Sequence, residues 1–102
     1  MTTITLVCAG GMSTSLLVSK MNLSAVRLAA VVKIRAVAEN DFERYAAETD
    51  VLLLGPQVGY TLDKMKATYE PRGIKVAMIN GEDYSTMNGE KVLKDALNLV
   101  KN

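Results

Sequence analysis

Apolar runs and amphipathic stretches alternate along all 102 residues, with no linker, repeat or low-complexity segment between them. Ile4–Val7 is a short β-favouring run that ends at Cys8 and leads into Ala9-Gly10-Gly11. From Ser13 the pattern turns helical: Leu17, Met21, Ala25 and Leu28 recur at spacings of four, four and three. Val31–Val37 alternates, with Val32, Ile34 and Ala36 on one face and Lys33 and Arg35 on the other, which predicts a half-exposed edge strand. Asn40–Ala47 predicts a short helix capped by Asn40. Val51–Leu54 is apolar at every position, as in a strand buried on both faces, and Gly55-Pro56 ends it. Leu62, Met65 and Tyr69 define a third helix that stops before Pro71 and Gly73. Ile74–Ile79 is a fourth strand, broken by Asn80-Gly81. Val92, Leu93, Ala96, Leu97 and Val100 form the apolar stripe of a C-terminal helix, with Lys94 and Lys101 outside it.

Four strands alternating with four helices predict an α/β fold: one domain over residues 1–102, with right-handed crossovers and an open parallel sheet flanked by helices on both faces. The alternative is an α+β domain whose strands do not all pair in parallel. In an open parallel sheet ligands bind beyond the carboxyl ends of the strands. The loops Cys8–Ser15 and Gly55–Tyr60 are therefore the places where chemistry is expected.

Composition narrows that chemistry. Lys and Arg number 12 against 11 Asp and Glu, a net charge of +1 with no block of like charges, so nucleic acid is not an expected partner. No apolar stretch approaches the roughly 18–20 residues that span a bilayer, and the first residues carry no basic region of the secretory kind. One cysteine makes no internal disulfide, which points to a cytoplasmic setting. Without histidine most zinc sites and every Ser-His or Cys-His pair are excluded, so neither a metal nor a cofactor is expected.

Cys8-Ala9-Gly10-Gly11-Met12-Ser13-Thr14-Ser15 joins an apolar strand to a helix. Two glycines allow a tight turn in which successive N–H groups point at one centre. Ser13 is a natural N-cap, and Thr14 and Ser15 add donors where the first helical turn has unpaired N–H groups. Together they form an anion cradle suited to phosphate, with the only cysteine at its mouth. A helix N-terminus favours thiolate over thiol, and the thiolate is the nucleophile. A lone intracellular cysteine is more often a small buried hydrophobe; its place between an apolar strand and a Gly-Gly/Ser-Thr-Ser turn argues against that here.

Low-molecular-weight phosphatases and arsenate reductases use Cys-x5-Arg-Ser/Thr. Counted from Cys8, the arginine position holds Thr14, while Ser15 follows in register. Without the guanidinium there is no bidentate clamp on a transferring phosphoryl group. Asp63 and Asp83 are the carboxylates that could share the rim; Glu39, Asp41 and Glu43 read as charges at a helix N-terminus, and Lys20 as a solvated cation. Met21, Met65 and Met78 fit core stripes, whereas Met12 beside the cysteine is a candidate surface for partners. Three readings stay open on these residues alone: a phosphoryl carrier, a phosphatase or reductase relative, and a phosphate-binding regulatory module in which Cys8 is passive.

Two segments carry a resemblance. Leu6-Val7-Cys8-Ala9-Gly10-Gly11-Met12-Ser13-Thr14-Ser15-Leu16-Leu17-Val18 and Val51-Leu52-Leu53-Leu54-Gly55-Pro56-Gln57-Val58-Gly59-Tyr60 resemble enzyme IIB of the lactose/cellobiose/chitobiose family of the phosphoenolpyruvate-dependent sugar phosphotransferase system. Asn22–Ala30 departs from it in being more apolar. The resemblance implies strand order 2-1-3-4, a flavodoxin-like and low-molecular-weight-phosphatase-like topology. It implies that Cys8 accepts a phosphoryl group from a phosphohistidine of a IIA protein. Cys8 then passes that group to a β-linked disaccharide held by the membrane component IIC, while Ala9, Gly10, Gly11, Met12, Ser13, Thr14 and Ser15 cradle the oxygens. Gln57, Tyr60 and Tyr84 become rim or partner contacts. A chain that is a monomer in isolation, cytoplasmic and drawn to the inner face of the membrane through IIC, is the corresponding expectation. The sugar itself is not specified, because its contacts belong to IIC.

Overall fold

The computed structural model of the chain describes residues 1–8 and 12–101, with Met12, Ser13 and Thr14 described by their backbone alone. Four strands, β1 (Thr2–Cys8), β2 (Val32–Ala38), β3 (Val51–Leu54) and β4 (Lys75–Met78), form one sheet in the order β2-β1-β3-β4. Every neighbouring pair is parallel. This is the order expected from the resemblance, and it excludes the mixed α+β alternative.

Residue chemistry explains the order. Thr3–Cys8 and Val51–Leu54 are buried throughout, so β1 and β3 occupy the middle. Lys33 and Arg35 belong to β2 at one edge, where charged side chains blunt the exposed ladder. Asp50 aligns the strand starts: its carboxylate accepts the Thr3 N–H at 2.8 Å, and its own N–H donates to the Thr3 carbonyl at 2.9 Å.

Helices α1 (Met12–Arg27) and α4 (Gly89–Lys101) cover one face. There Leu17, Met21 and Ala25 of α1 meet Ile4, Leu6, Val51 and Leu53 of the sheet and Val92, Leu93 and Ala96 of α4. The other face is covered by α2 (Leu62–Tyr69) and two 3-10 segments, Glu39–Glu48 and Pro56–Thr61, which bury Phe42, Ala46, Val58 and Tyr69 against Val7, Leu52 and Leu54. Among the described residues no helix is long and apolar enough to cross a membrane.

Four expectations need correction. The segment expected as a helix capped by Asn40 is a 3-10 helix beginning at Glu39, flanked by Ala38, with no side-chain cap. Its buried residues Phe42 and Ala46 are four apart, the spacing of an α-helix face rather than of the three-residue 3-10 turn, so the pattern points to the wrong winding. Asn80, expected only as a break, accepts N–H bonds from Glu82 (2.9 Å) and Asp83 (3.2 Å) through Oδ1 and so starts a short extra helix, α3 (Gly81–Ser85). Leu28 lies beyond the end of α1, and it and Val100 are exposed, because the stripes outrun the sheet they cover. Met78 is also exposed, at the end of the edge strand β4.

Two positions set the ends and the contact of α1. Its last turn closes as a Schellman motif: the Ala30 N–H reaches the Ala25 carbonyl (2.9 Å) and the Ala29 N–H the Val26 carbonyl (3.2 Å). That requires φ of 54° at Ala29, where a Cβ is unfavourable. Gly89 opens α4 directly against α1; a Cβ there would lie 2.6 Å from the Lys20 carbonyl carbon and 2.7 Å from the Met21 nitrogen. Ala29→Gly is therefore expected to raise the free energy of unfolding by about 1 kcal/mol. Gly89→Ala, which meets backbone rather than a movable side chain, is expected to lower it by about 2–3 kcal/mol. Urea denaturation of the two variants measures both.

Candidate functional site

Cys8 is the last residue of the central strand, paired in register with Ala38 of β2. Side chains alternate along a strand, so Cys8 shares the face of Ile4 and Leu6, the face that α1 covers. Its side chain is directed to the side from which α1 departs, and it is 3% exposed. Only three residues separate it from Met12, where α1 begins with sixteen residues of aligned peptide dipoles. The positive end of that helix therefore lies at the cysteine end of the strand.

The expected cradle is only partly within view. Ala9, Gly10 and Gly11 lie outside the described residues, as do the side chains of Met12, Ser13 and Thr14. The backbone of Ser13 stands in the first turn of α1 rather than ahead of it, so the helix starts two residues earlier than the N-cap assignment implied. Ser15 is exposed, and its carbonyl accepts the Ser19 hydroxyl at 3.3 Å.

The second expected loop comes to the same place. The Gly55 N–H donates to the Val7 carbonyl at 2.8 Å, carrying the β1–β3 ladder one residue past Leu54. A Cβ on Gly55 would lie 3.5 Å from the Cys8 Cβ, 3.4 Å from the Val7 carbonyl oxygen and 2.8 Å from Gln57 Oε1. Gly55 is thus the residue that lets β3 end flush against the cysteine, with the Gln57 amide folded back over it. Sequence reasoning singled out Gln57 and passed over Gly55; the contact depends on strand register, which a Gly-Pro stop does not reveal. Tyr60 projects outward and is 82% exposed, at the same carboxyl end of the sheet. Tyr84 does not project: it is 8% exposed and packs into the core beneath α1 and α4.

Of the acidic residues read as charges at a helix N-terminus, Glu39 and Asp41 are so placed and Glu43 is not. Glu39 and Asp41 lie in the first turn of the 3-10 segment, and Glu43 accepts both Arg72 guanidinium nitrogens (3.1–3.2 Å) and the Tyr69 hydroxyl (3.1 Å). The Arg72 hydrogen bonds, followed by that of Tyr69, hold the Glu43 carboxyl below its ordinary range. Lys20 is exposed with no ionic partner among the described residues. Asp63 is exposed in the first turn of α2, while Asp83 lies 3.9 Å from the Lys91 ammonium. Among the described residues no cluster of His, Cys, Asp or Glu could hold a metal ion.

Substitutions at Gly55 probe this packing. Gly55→Ala meets the free end of the Gln57 side chain, which can swing away, and is expected to cost about 1 kcal/mol. Gly55→Leu drives against Val7 and Cys8, which cannot move, and is expected to cost about 3 kcal/mol. Thermal or urea unfolding of the pair distinguishes a tight register contact from a loose loop, for which both costs vanish.

Comparison with known proteins bears on the same residues. The family model described as the lactose/cellobiose-specific IIB subunit of the PTS system matches residues 3–95. The galactose-specific EIIB component of the PTS system of Lactococcus lactis subsp. cremoris (strain MG1363) is 42% identical over 102 residues, covering 95% of this chain and 94% of that one. A lactose-specific EIICB component from Lactococcus lactis subsp. lactis is 32% identical over 83 residues, which make up 81% of this chain but 15% of that longer protein. The solution structure of a cellobiose-specific phosphotransferase IIB component from Borrelia burgdorferi superposes with a TM-score of 0.82 at 40% identity, covering 99% of this chain and 93% of that one.

Proposed function

The chain belongs to the lactose/cellobiose-specific IIB family of the sugar phosphotransferase system, and on that premise we propose that it is a phosphocysteine carrier with Cys8 as its nucleophile. The observation that carries the reading is the position of Cys8: the carboxyl end of the central strand, facing the helix whose amino end follows three residues later. The amino end of that helix offers a dipole and N–H groups that suit the phosphoryl oxygens once the group has arrived.

Two in-line steps follow. In the first, the Cys8 sulfur attacks the phosphorus of a phosphohistidine on IIA; the P–S bond forms as the P–N bond breaks, and the leaving imidazole takes up the proton that the Cys8 thiol gives up. In the second, a hydroxyl of the sugar held by membrane IIC attacks the same phosphorus. The P–O bond forms, the thiolate leaves, and the hydroxyl proton passes to a base on the IIC side. Backbone N–H groups of residues 9–15 cradle the phosphoryl oxygens in both. Thr14 stands where phosphatases place arginine, so water gains no clamp for hydrolysis and the phosphoryl group survives until a sugar hydroxyl meets it.

Residues 1–102 act as one unit, a monomer between encounters, at the cytoplasmic face of the membrane where IIC resides. Tyr60 serves as an aromatic contact for the partners that reach Cys8, and Gln57 lines the approach. The sugar is a β-linked disaccharide of the cellobiose, chitobiose or lactose type, chosen by IIC. The similar proteins carry galactose, lactose and cellobiose in their names, in keeping with a carrier that leaves the sugar to its partner.

Incubation with phosphoenolpyruvate, the general phosphotransferase proteins and IIA is expected to add one phosphoryl group to the intact protein by mass spectrometry. Cys8→Ser is expected to add none. A wild-type mass that stays unchanged, or a serine variant that gains the same increment, overturns the assignment. Hydrolysis of p-nitrophenyl phosphate by the chain alone would favour a phosphatase instead.

A further inference from the structure

The end of β3 brings a second side chain to Cys8. β1 and β3 run in register through the Val7–Leu54 pair, and the Gly55 N–H bonded to the Val7 carbonyl carries them one step further, so Gly55 stands beside Cys8. By the alternation along β1, Cys8 faces the side that α1 covers. A Cβ on Gly55 would point to that same side, 3.5 Å from the Cys8 Cβ. Gly55 has no side chain to put there, and the Gln57 carboxamide takes the space: its Oε1 lies 2.8 Å from the same point. One point thus stands within van der Waals reach of both the cysteine Cβ and the tip of Gln57.

The turn that carries Gln57 is held in place. The Val58 N–H donates to the Gly55 carbonyl at 3.0 Å, the Thr61 hydroxyl donates to the Val58 carbonyl at 2.6 Å, and Val58 is buried. Pro56, at the start of the turn, has its φ fixed by its ring. Gln57 itself is exposed, and its carboxamide makes no hydrogen bond among the described residues. Its Nε2 carries two N–H donors, left free for a group that arrives at the cysteine.

We propose that Gln57 donates a hydrogen bond through Nε2 to a phosphoryl oxygen of phosphorylated Cys8, closing from the β3 side the cradle that the amino end of α1 forms on the other. The proposal rests on the carrier reading and gives Gln57 a part in it beyond lining the approach. The bond exists only while the phosphoryl group is present, so it favours the phosphorylated state over the free thiol. Its chemistry suits a carrier. A neutral amide holds one oxygen of the anion, whereas the arginine of the phosphatases, replaced here by Thr14, neutralises charge and clamps two. Gln57 therefore stabilises the phosphocysteine without preparing it for attack by water.

The equilibrium between phospho-Cys8 and the phosphohistidine of IIA separates this role from docking, because a contact with the partner alters forward and reverse transfer alike. The chain is mixed with a fixed amount of phosphorylated IIA, and both phosphoproteins are quantified by phosphorus NMR. Gln57→Met, close to glutamine in size but without a donor, is expected to lower the ratio of phospho-Cys8 to phosphohistidine about tenfold. Gln57→Glu, whose carboxylate repels the phosphoryl oxygens, is expected to lower it further. Thermal unfolding of both unphosphorylated variants is expected to match the wild type, since the side chain is exposed. In the wild type, the Gln57 side-chain amide protons are expected to move downfield in the NMR spectrum when Cys8 is phosphorylated, a readout that needs no variant. A ratio unchanged in both variants overturns the proposal, even where transfer is slower, and so does an amide resonance that stays in place. Those outcomes leave the carrier reading standing. A wild-type chain that takes up no phosphoryl group overturns the two together.

Discussion

The parallel pairing of β1 on both of its edges is the constraint on which the rest depends. Seven pairs tie it to β2 and four to β3, and from Thr3 onward every residue is buried. A strand bonded on both sides and packed on both faces cannot slip by one residue without exchanging its two faces. Ile4 and Leu6 must then serve one core, and Thr5 and Val7 the other. Cys8 inherits its orientation from this alternation rather than from its own chemistry. The Gly55 N–H, bonded to the Val7 carbonyl, repeats the same registration one strand over and brings the second loop against the cysteine. The site is where it is because the sheet admits one arrangement.

The two faces reach stability differently. The α2 face has an aromatic core: Phe42 meets Tyr69 edge-on with ring centroids 4.9 Å apart, and Tyr69 carries the Glu43–Arg72 pair on its hydroxyl and ring, while Glu39 Oε1 is buried without a partner among the described residues. Buried Thr5 and Thr49 hydroxyls share a bond of 2.8 Å and leave no orphan. The α1 face is aliphatic, and its tightest approach is backbone to backbone at Gly89. The carboxyl end of the central strand, where Cys8 sits, thus lies between a packed helix pair on one side and an aromatic, hydrogen-bonded layer on the other.

Much of this was legible in the residues. The unbroken apolar run Val51–Leu54 marked one central strand and the β-favouring run Ile4–Val7 the other, and the alternation around Lys33 and Arg35 marked an edge. The cradle read from the glycine-hydroxyl turn after Cys8 lies mostly outside the described residues. What escaped depended on distance in space or on subtle local winding. Phe42 and Ala46 lie four residues apart, as on one face of an α-helix, so the 3-10 geometry of Glu39–Glu48 was hidden. Asn80 both ends a strand and caps a five-residue helix, too short for periodicity to register. Tyr84, at a loop position that pointed to the rim, turns inward because α3 returns it over the core. Gly55 against Cys8 is a contact between positions far apart in sequence, fixed only when β1 and β3 pair.

The contrast between α4 and α1 carries the argument to the molecule's exterior. α4 buries Val92, Leu93 and Ala96, and its outer side is held by Lys91–Asp95 at 2.9 Å and Lys94–Glu90 at 3.0 Å, i,i+4 pairs that stabilise a helix without outside help. α1 has no acidic residue with which to form such a pair, and it places Leu and Val where α4 places charges. Its one interhelical ion pair, Arg27 to Glu90, draws on the same glutamate that Lys94 uses. Exposed leucine and valine contribute nothing to the folded monomer that a polar residue would not, and they cost solubility. The two helices that share one face of the sheet thus show different surfaces to solvent, ion pairs along α4 and uncovered Leu23 and Val26 on α1.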